Sequence, residues 1–85
     1  MVYIVQCRDE TLYAGIATDI KKRLLEHNSS DAKGAKYTRS RRPVRLVYTE
    51  ACASRSDAQS REYAIKQLSR TGKLALIADG QKKVK

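Results

Sequence analysis

The fold is decided at the amino terminus, where residues 2–7 read VYIVQC and residues 11–16 read TLYAGI. Both stretches are short and rich in β-branched and aromatic residues, and a polar run at residues 8–10 separates them. This pattern predicts a β-hairpin. An odd number of loop residues would place Tyr3 and Tyr13 on the same face of the hairpin, and an even number would place them on opposite faces.

After the hairpin, the spacing of apolar residues changes from that of strands to that of helices. Thr18 is a candidate amino-terminal cap, and Ile20 and Leu24 form an apolar stripe that predicts a first helix ending near Asn28. A basic connection follows. The run VRLVYT at residues 44–49 then alternates roughly between apolar and polar residues, which predicts a third strand.

A second long helix is predicted in the carboxyl-terminal half. Ser56 followed by Gln59 matches a capping box, and Gly72 is a residue type that ends helices. The inward face of this helix is expected to consist of Ala58, Ile65 and Leu68. The sequence therefore predicts a helix from residue 56 to about residue 71.

The remaining apolar stretch, at residues 74–78, predicts a short last helix. Because a three-stranded sheet must be covered by helices to bury enough apolar area, the order β-β-α-β-α-α indicates an α+β fold. A chain of 85 residues has room for one core. We expect one domain at residues 1–80 and a basic, frayed tail at residues 81–85.

The charge of the chain points to a polyanionic partner. Its 18 Lys and Arg residues against 9 Asp and Glu give a net charge of +9, which favours nucleic acid. Basic residues and one tyrosine concentrate in a single connection, a composition that suits phosphate contacts and base stacking. We predict nucleic-acid contacts from Lys33, Lys36, Tyr37, Arg39, Arg41 and Arg42. The alternative is a solvated loop, but a cluster of one sign repels itself.

The sequence shows no targeting signal, and its two cysteines have no pairing pattern, so we expect a reducing compartment. No apolar run approaches the ~20 residues that span a bilayer, and the patterned segment begins at Met1 without a basic leader, so we expect a cytoplasmic protein. Cys7 and Cys52 have no metal-ligand spacing and are expected to be packing residues.

Three polar residues on the predicted helices are candidates for chemistry. Arg23 and His27 lie one turn apart on the flank of the first apolar stripe. Glu62 lies at the edge of the second stripe, where an ionised carboxylate needs a cation or hydrogen-bond donors. Position alone favours plainer interpretations, in which Arg23 and His27 are boundary residues and Glu62 pairs with Lys66 at i, i+4.

Taken in order along the chain, these residues resemble the GIY-YIG nuclease superfamily. Residues 1–3, MVY, correspond to the first motif, and residues 13–15, YAG, to the second. The superfamily's arginine, helical histidine or tyrosine, and metal-binding glutamate correspond to Arg23, His27 and Glu62. The resemblance is greatest to the short stand-alone bacterial proteins, which are related to the amino-terminal nuclease domain of the excision-repair endonuclease.

The resemblance implies a three-stranded antiparallel sheet flanked by helices, with the five site residues meeting on one face. It also implies a metal-dependent endonuclease that hydrolyses phosphodiester bonds in DNA, with RNA as a second substrate. Glu62 would bind one divalent ion, Mg²⁺ or Mn²⁺. Tyr13 would be the general base, assisted by His27, while Arg23 would orient the phosphate and Tyr3 the attacking water.

The sequence departs from the superfamily pattern at three points. No asparagine follows Glu62, although relatives often carry one there. Glu10 stands where relatives often have glycine, which would be strained if that position needs a positive φ. The domain also stands alone, so a protein partner would have to supply specificity. These departures motivate an alternative function, a catalytically weak or inactive nucleic-acid-binding module in DNA repair or processing.

Overall fold

The computed structural model describes residues 1–29 and 41–83. Those residues form three strands, β1 (Val2–Gln6), β2 (Leu12–Ile16) and β3 (Arg45–Glu50). They also form three helices, α1 (Ile20–Ser29), α2 (Arg55–Lys66) and α3 (Arg70–Lys83). The order along the chain and the antiparallel pairing of the strands confirm the predicted α+β fold. None of the helices in the described ranges is both long and apolar enough to cross a membrane.

The sheet has the strand order β2-β1-β3, with β1 in the centre. The hairpin register pairs Tyr3 with Gly15 and Val5 with Tyr13, and it ends at the pair formed by Gln6 and Leu12. Residues 7–11 therefore form a loop of odd length. Because side chains alternate along a strand, Tyr3 and Tyr13 project from the same face of the sheet.

Each face of the sheet carries its own layer of core. The face with the tyrosines packs against α1, and its core consists of Tyr3, Val5, Cys7 and Val44 with Ile20 and Leu24 against them. The opposite face packs against α2 and α3, through Val2, Ile4, Ala14, Ala58, Ile65 and Ile77. Both cysteines belong to this packing, Cys7 within the core and Cys52 beside it, and neither forms a disulfide. The tyrosine face is thus the one on which α1 can present side chains.

The helix starts differ from the prediction by one or two residues. Asp19, and not Thr18, caps α1, since the Lys22 N–H donates to Asp19 Oδ1 at 3.1 Å. Ser54 caps α2 by accepting from the N–H of residue 57 at 3.1 Å, so the predicted capping box at Ser56 was wrong. Ser54 has the extended backbone that a cap requires, with φ of −148° and ψ of 168°.

The predicted end of the second helix was also wrong. The helix stops at Lys66, and Gln67 serves as its cap, with its N–H directed at the last carbonyls. Gly72 lies inside α3, which is longer than the short helix predicted at residues 74–78. Since α3 continues to Lys83, no helix end marks a boundary at residue 80, and the division into a domain and a tail stays a prediction.

An asparagine fixes the end of α1 to the start of β3. The Asn28 Nδ2 donates to the Val44 carbonyl at 3.0 Å, and Asn28 Oδ1 accepts from the Val44 N–H at 2.7 Å. The side-chain amide therefore satisfies a donor and an acceptor of the backbone at once, as a neighbouring strand would. This pair of bonds sets the position of the residue before it, His27.

The hairpin loop contains the strain that the sequence suggested. Glu10 has φ = 69°, in the left-handed region that glycine adopts without cost. The contact from α3 is made to its backbone, because Arg70 Nη1 donates to the Glu10 carbonyl at 2.6 Å.

We predict that Glu10→Gly raises the free energy of unfolding by about 1 kcal/mol, because a Cβ in the left-handed region costs about that much. Urea denaturation followed by circular dichroism would measure the change. Glu10→Ala is the matched control, since it removes the carboxylate but keeps the Cβ. Equal stability of the glycine and alanine variants would contradict the strain.

Candidate active site

A buried hydrogen bond joins the central strand to α1. Tyr3 is 2% exposed and His27 is 0% exposed, and the Tyr3 Oη lies 2.7 Å from His27 Nε2. The two rings meet edge to face, with centroids 5.8 Å apart. The structure therefore brings together the tyrosine of the first motif and the predicted helical histidine.

The second tyrosine packs on the other side of the same histidine. The ring centroid of Tyr13 is 5.6 Å from that of His27, at an interplanar angle of 71°. Tyr13 is half-buried, so its ring reaches the surface that Tyr3 does not. The Lys66 ammonium lies 5.8 Å from the Tyr13 centroid, so a side chain from the end of α2 reaches this ring.

Gly15 makes room for Tyr3. The two residues are paired across the hairpin, and a Cβ at position 15 would lie 2.5 Å from Tyr3 Oη and 2.7 Å from its Cζ. No real Cβ approaches other atoms so closely. The glycine of the second motif is thus required by the path of the Tyr3 ring toward His27.

Arg23 reaches the hydroxyl of the buried tyrosine from the preceding turn of α1. Its Nε donates to Tyr3 Oη at 3.4 Å, and its Nη1 donates to Glu26 Oε1 at 3.2 Å. Arg23 and Glu26 also line an open surface cavity of about 220 Å³ beside the start of α1. A planar guanidinium in this position is suited to phosphate oxygens that approach from that cavity.

Glu62 belongs to the same electrostatic environment. Its side chain is 25% exposed, and its Oε2 lies 3.5 Å from Lys66 Nζ. Its negative charge is one of the lesser causes that raise the pKa of Tyr3. Tyr3, Tyr13, Arg23 and His27 are thus joined by direct contacts, while Glu62 is connected to Tyr13 through Lys66.

The two buried partners are neutral at pH 7. Burial lowers the pKa of His27 to about 4, and the positive charge of Arg23 acts in the same direction. Burial also raises the pKa of Tyr3. Because Arg23 donates to the Tyr3 oxygen, we assign the Tyr3 O–H as donor to His27 Nε2, which places the ring proton on Nδ1.

The predicted nucleic-acid-binding residues are only partly within the described ranges. Lys33, Lys36, Tyr37 and Arg39 lie outside the described residues. Arg41 donates through Nε to Asp9 Oδ2 at 3.1 Å, and Arg42 donates through Nε to the His27 carbonyl at 2.5 Å. Arg42 thus lies directly on the backbone of the buried histidine, whereas Arg41 lies against the hairpin loop.

Several contacts were not predicted from sequence. The pairing of Arg23 with Glu26 follows i, i+3 spacing, a signal that the sequence contains. The position of Lys66 over Tyr13 depends on how α2 packs against the hairpin, so no local pattern reveals it. Arg61 lies on the same side of α2 as its apolar residues, and its charge is paired there because its Nε donates to Glu50 Oε2 on β3, at 2.8 Å.

Glu62 has the chemistry of a ligand for a hard divalent ion. Among residues 1–29 and 41–83, no group of three or more His, Cys, Asp or Glu side chains is arranged to hold a metal. Mg²⁺ is commonly bound by one or two carboxylates together with waters and substrate phosphates. A single half-buried carboxylate fits that requirement.

The fold and the site define a class of small α+β domains whose two hairpin tyrosines face an arginine and a histidine on the following helix. Residues 1–75 match the model of the GIY-YIG catalytic domain, and the chain belongs to the GIY-YIG family. The resemblance seen in the sequence is therefore confirmed. The family indicates a nuclease that binds nucleic acid and typically uses a divalent metal.

The similar proteins share one group name. The chain is 65% identical over 81 residues to a UPF0213 protein of Desulfotalea psychrophila, covering 95% of this chain and 73% of the relative. It is 53% identical over 79 residues to a UPF0213 protein of Staphylococcus saprophyticus, covering 93% and 94%. The solution NMR structure of a UPF0213 protein from Bacillus halodurans is similar, with a TM-score of 0.57, 45% identity, and coverage of 91% and 80%.

We predict that the protein loses stability as the pH falls from 6.5 to 4 because of His27. The folded state binds the proton only near pH 4, whereas the unfolded histidine binds it near pH 6.5, so protonation favours unfolding within that window. The loss due to this residue should be roughly 3 kcal/mol.

Urea denaturation at several pH values, with His27→Gln as control, would measure this effect. Carboxylates titrate in both proteins, so only the difference between them reports on His27. The natural protein should lose its advantage over the variant as the pH falls. Parallel pH profiles would show that His27 is not kept neutral by the fold.

Proposed function

We propose that the protein is a metal-dependent endonuclease that hydrolyses phosphodiester bonds in DNA, with RNA as the alternative substrate. The observation that carries this proposal is the set of direct contacts joining Tyr3, His27 and Arg23 beside Tyr13. Burying these polar groups on a sheet face has a cost that an apolar pair would not have. Their arrangement is explained if it serves chemistry at the adjacent surface.

Arg23 would bind and orient the scissile phosphate. Its guanidinium is held in place by Tyr3 and Glu26 and faces the cavity beside α1. Positive charge held in advance stabilises the extra negative charge of the transition state, because no reorganisation is needed when that charge develops.

Tyr13 would take a proton from the attacking water. A phenol is a weak base unless cations favour its ionised form, and Lys66 and Arg23 are the cations of this site. His27 is neutral at pH 7 and packs against the Tyr13 ring, so it would assist by holding that ring in position. Burial keeps Tyr3 protonated. Its hydroxyl would orient the attacking water.

Glu62 would hold one divalent ion, Mg²⁺ or Mn²⁺. Its half-buried carboxylate supplies the hard oxygen ligand that such ions prefer. When bound, the ion supplies a Lewis acid that stabilises negative charge on the leaving oxygen.

Other features of the proposal extend beyond the site. The basic connection, including Arg41 and Arg42, would follow the phosphate backbone, and a protein partner would supply specificity. We propose a cytoplasmic protein with one domain at residues 1–80, acting in DNA repair or processing.

We predict that Glu62→Gln reduces cleavage at least 100-fold, because removing a group that stabilises transition-state charge commonly costs that much. The assay would use labelled single-stranded, duplex and branched DNA and RNA with Mg²⁺ or Mn²⁺. Asp79→Asn on α3 is the matched control, since it removes one exposed carboxylate and should cleave at the natural rate. Undiminished cleavage by Glu62→Gln would rule out its proposed role.

The net charge of +9 supports a second candidate, a nucleic-acid-binding module without cleavage. Under this function all variants would bind and none would cleave. Both candidates predict that binding weakens with salt.

We predict that the slope of log affinity against log salt is shallower by about 0.9 in Arg41→Gln, the value for one phosphate contact on duplex DNA. Fluorescence anisotropy over a range of salt concentrations would measure it. Lys73→Gln on α3 makes the same change in charge on the other side of the sheet and should keep the natural slope. Equal slopes for the two variants would exclude a specific contact by Arg41.

A further inference from the structure

One cation lies between the proposed metal ligand and the proposed general base. The Lys66 Nζ is 3.5 Å from Glu62 Oε2 and 5.8 Å from the centroid of the Tyr13 ring. Glu62 is one turn away on the same helix, whereas Tyr13 lies on β2. The ammonium therefore makes one contact within its helix and one contact with the sheet. In residues 1–29 and 41–83, Glu62 is the carboxylate within ion-pair distance of Lys66.

This ion pair occupies the carboxylate that a metal would need. A half-buried carboxylate is stabilised by a nearby cation, and Lys66 supplies one within the chain. A divalent ion on the same oxygens would carry twice the charge of the ammonium. A divalent ion and an ammonium about 4 Å apart repel each other by roughly 2 kcal/mol even at the dielectric constant of water. The two cations therefore compete for Glu62.

The Lys66 side chain is free to move if a metal ion displaces it from Glu62. It is 47% exposed, and four methylene groups let the ammonium move by several ångströms while the helix stays in place. The ring of Tyr13 lies beside it, so a displaced ammonium stays close to the reacting centre. The anion that arrives there with nucleic acid is a phosphate.

We propose that Lys66 is a positioning residue that holds Glu62 until the metal binds and is then released to a phosphate of the nucleic acid. This inference rests on the proposed function, because it assumes that Glu62 holds the ion. Its consequence is positive coupling: the ion frees a cation for the nucleic acid, and the nucleic acid gives that cation a new partner. By linkage, each ligand must then raise the affinity of the other by the same factor.

The first test measures Mn²⁺ binding to the protein alone, by electron paramagnetic resonance of the unbound ion. Lys66→Met removes the competing charge and keeps the length of the side chain. It should bind Mn²⁺ roughly three- to tenfold more tightly, from the lost ion pair and the lost repulsion after screening. Lys66→Arg keeps the charge and should stay within about twofold of the natural protein.

Two further proteins serve as controls in the same titration. Lys21→Met removes one exposed positive charge from α1 and should change the affinity by less than about twofold, since distant exposed charges are screened. Glu62→Gln should bind no Mn²⁺ at this site. Equal affinity of Lys66→Met and the natural protein would overturn the competition.

The second test measures the coupling. In a Tyr13→Phe background, which keeps the ring beside Lys66 and removes the proposed base, the affinity for a labelled oligonucleotide is compared with and without Mn²⁺. The ion should strengthen binding by a factor several-fold larger with Lys66 present than with Lys66→Met. An equal increase in oligonucleotide affinity on adding Mn²⁺ in both proteins would show that Lys66 does not exchange Glu62 for a phosphate.

The outcomes separate this inference from the function on which it rests. Mn²⁺ binding that Glu62→Gln abolishes and Lys66→Met leaves unchanged would refute the role of Lys66 while keeping the metal site. Failure of every variant to bind Mn²⁺, with circular dichroism showing folded proteins, would refute both.

Discussion

The hydrogen bond between Tyr3 and His27 is the constraint on which the rest of the site depends. Both groups are removed from water, and a buried donor or acceptor left without a partner costs about 1–3 kcal/mol. Within the described ranges, no buried side-chain nitrogen or oxygen lacks a partner. The bond therefore forms only if the strand, the hairpin and α1 are all correctly placed.

Each of those placements has an identifiable cause. The five-residue loop sets the hairpin register, and Gly15 leaves the space that the Tyr3 ring crosses. Asn28 fixes the end of α1 to β3, and Arg42 binds the His27 carbonyl from the connection. Small local requirements thus converge on one buried pair, which explains why glycine and asparagine at ordinary-looking positions matter to the site.

The sequence was sufficient to predict the order of the elements, and the structure brings four of the predicted site residues into contact, Tyr3, Tyr13, Arg23 and His27. Periodicity is a strong local signal, and the ordered tyrosine, arginine, histidine and glutamate residues carried the family resemblance. Helix caps were less predictable because Thr18 and Asp19 have similar capping ability, as do Ser54 and Ser56. Backbone conformation decides between such neighbours, and tertiary packing decides the backbone.

The contacts of Lys66 were unpredictable for a related reason. Its spacing from Glu62 is visible in the sequence and indicates an ordinary surface ion pair. Only the packing of α2 against β2 brings Tyr13 to the same ammonium.

The same physics explains why the charged residues of the site are paired within their own helices. Arg23 has Glu26 one turn away, and Glu62 has Lys66. Half-buried charges need such partners while the site holds no ligand, because water solvates them only in part. Exposed pairs of this kind are weak, at about 0.2–1 kcal/mol, so a phosphate or a divalent ion can replace them at little cost. If Arg23 and Glu62 bind a phosphate and a divalent ion as proposed, these ion pairs keep the site stable until those ligands arrive.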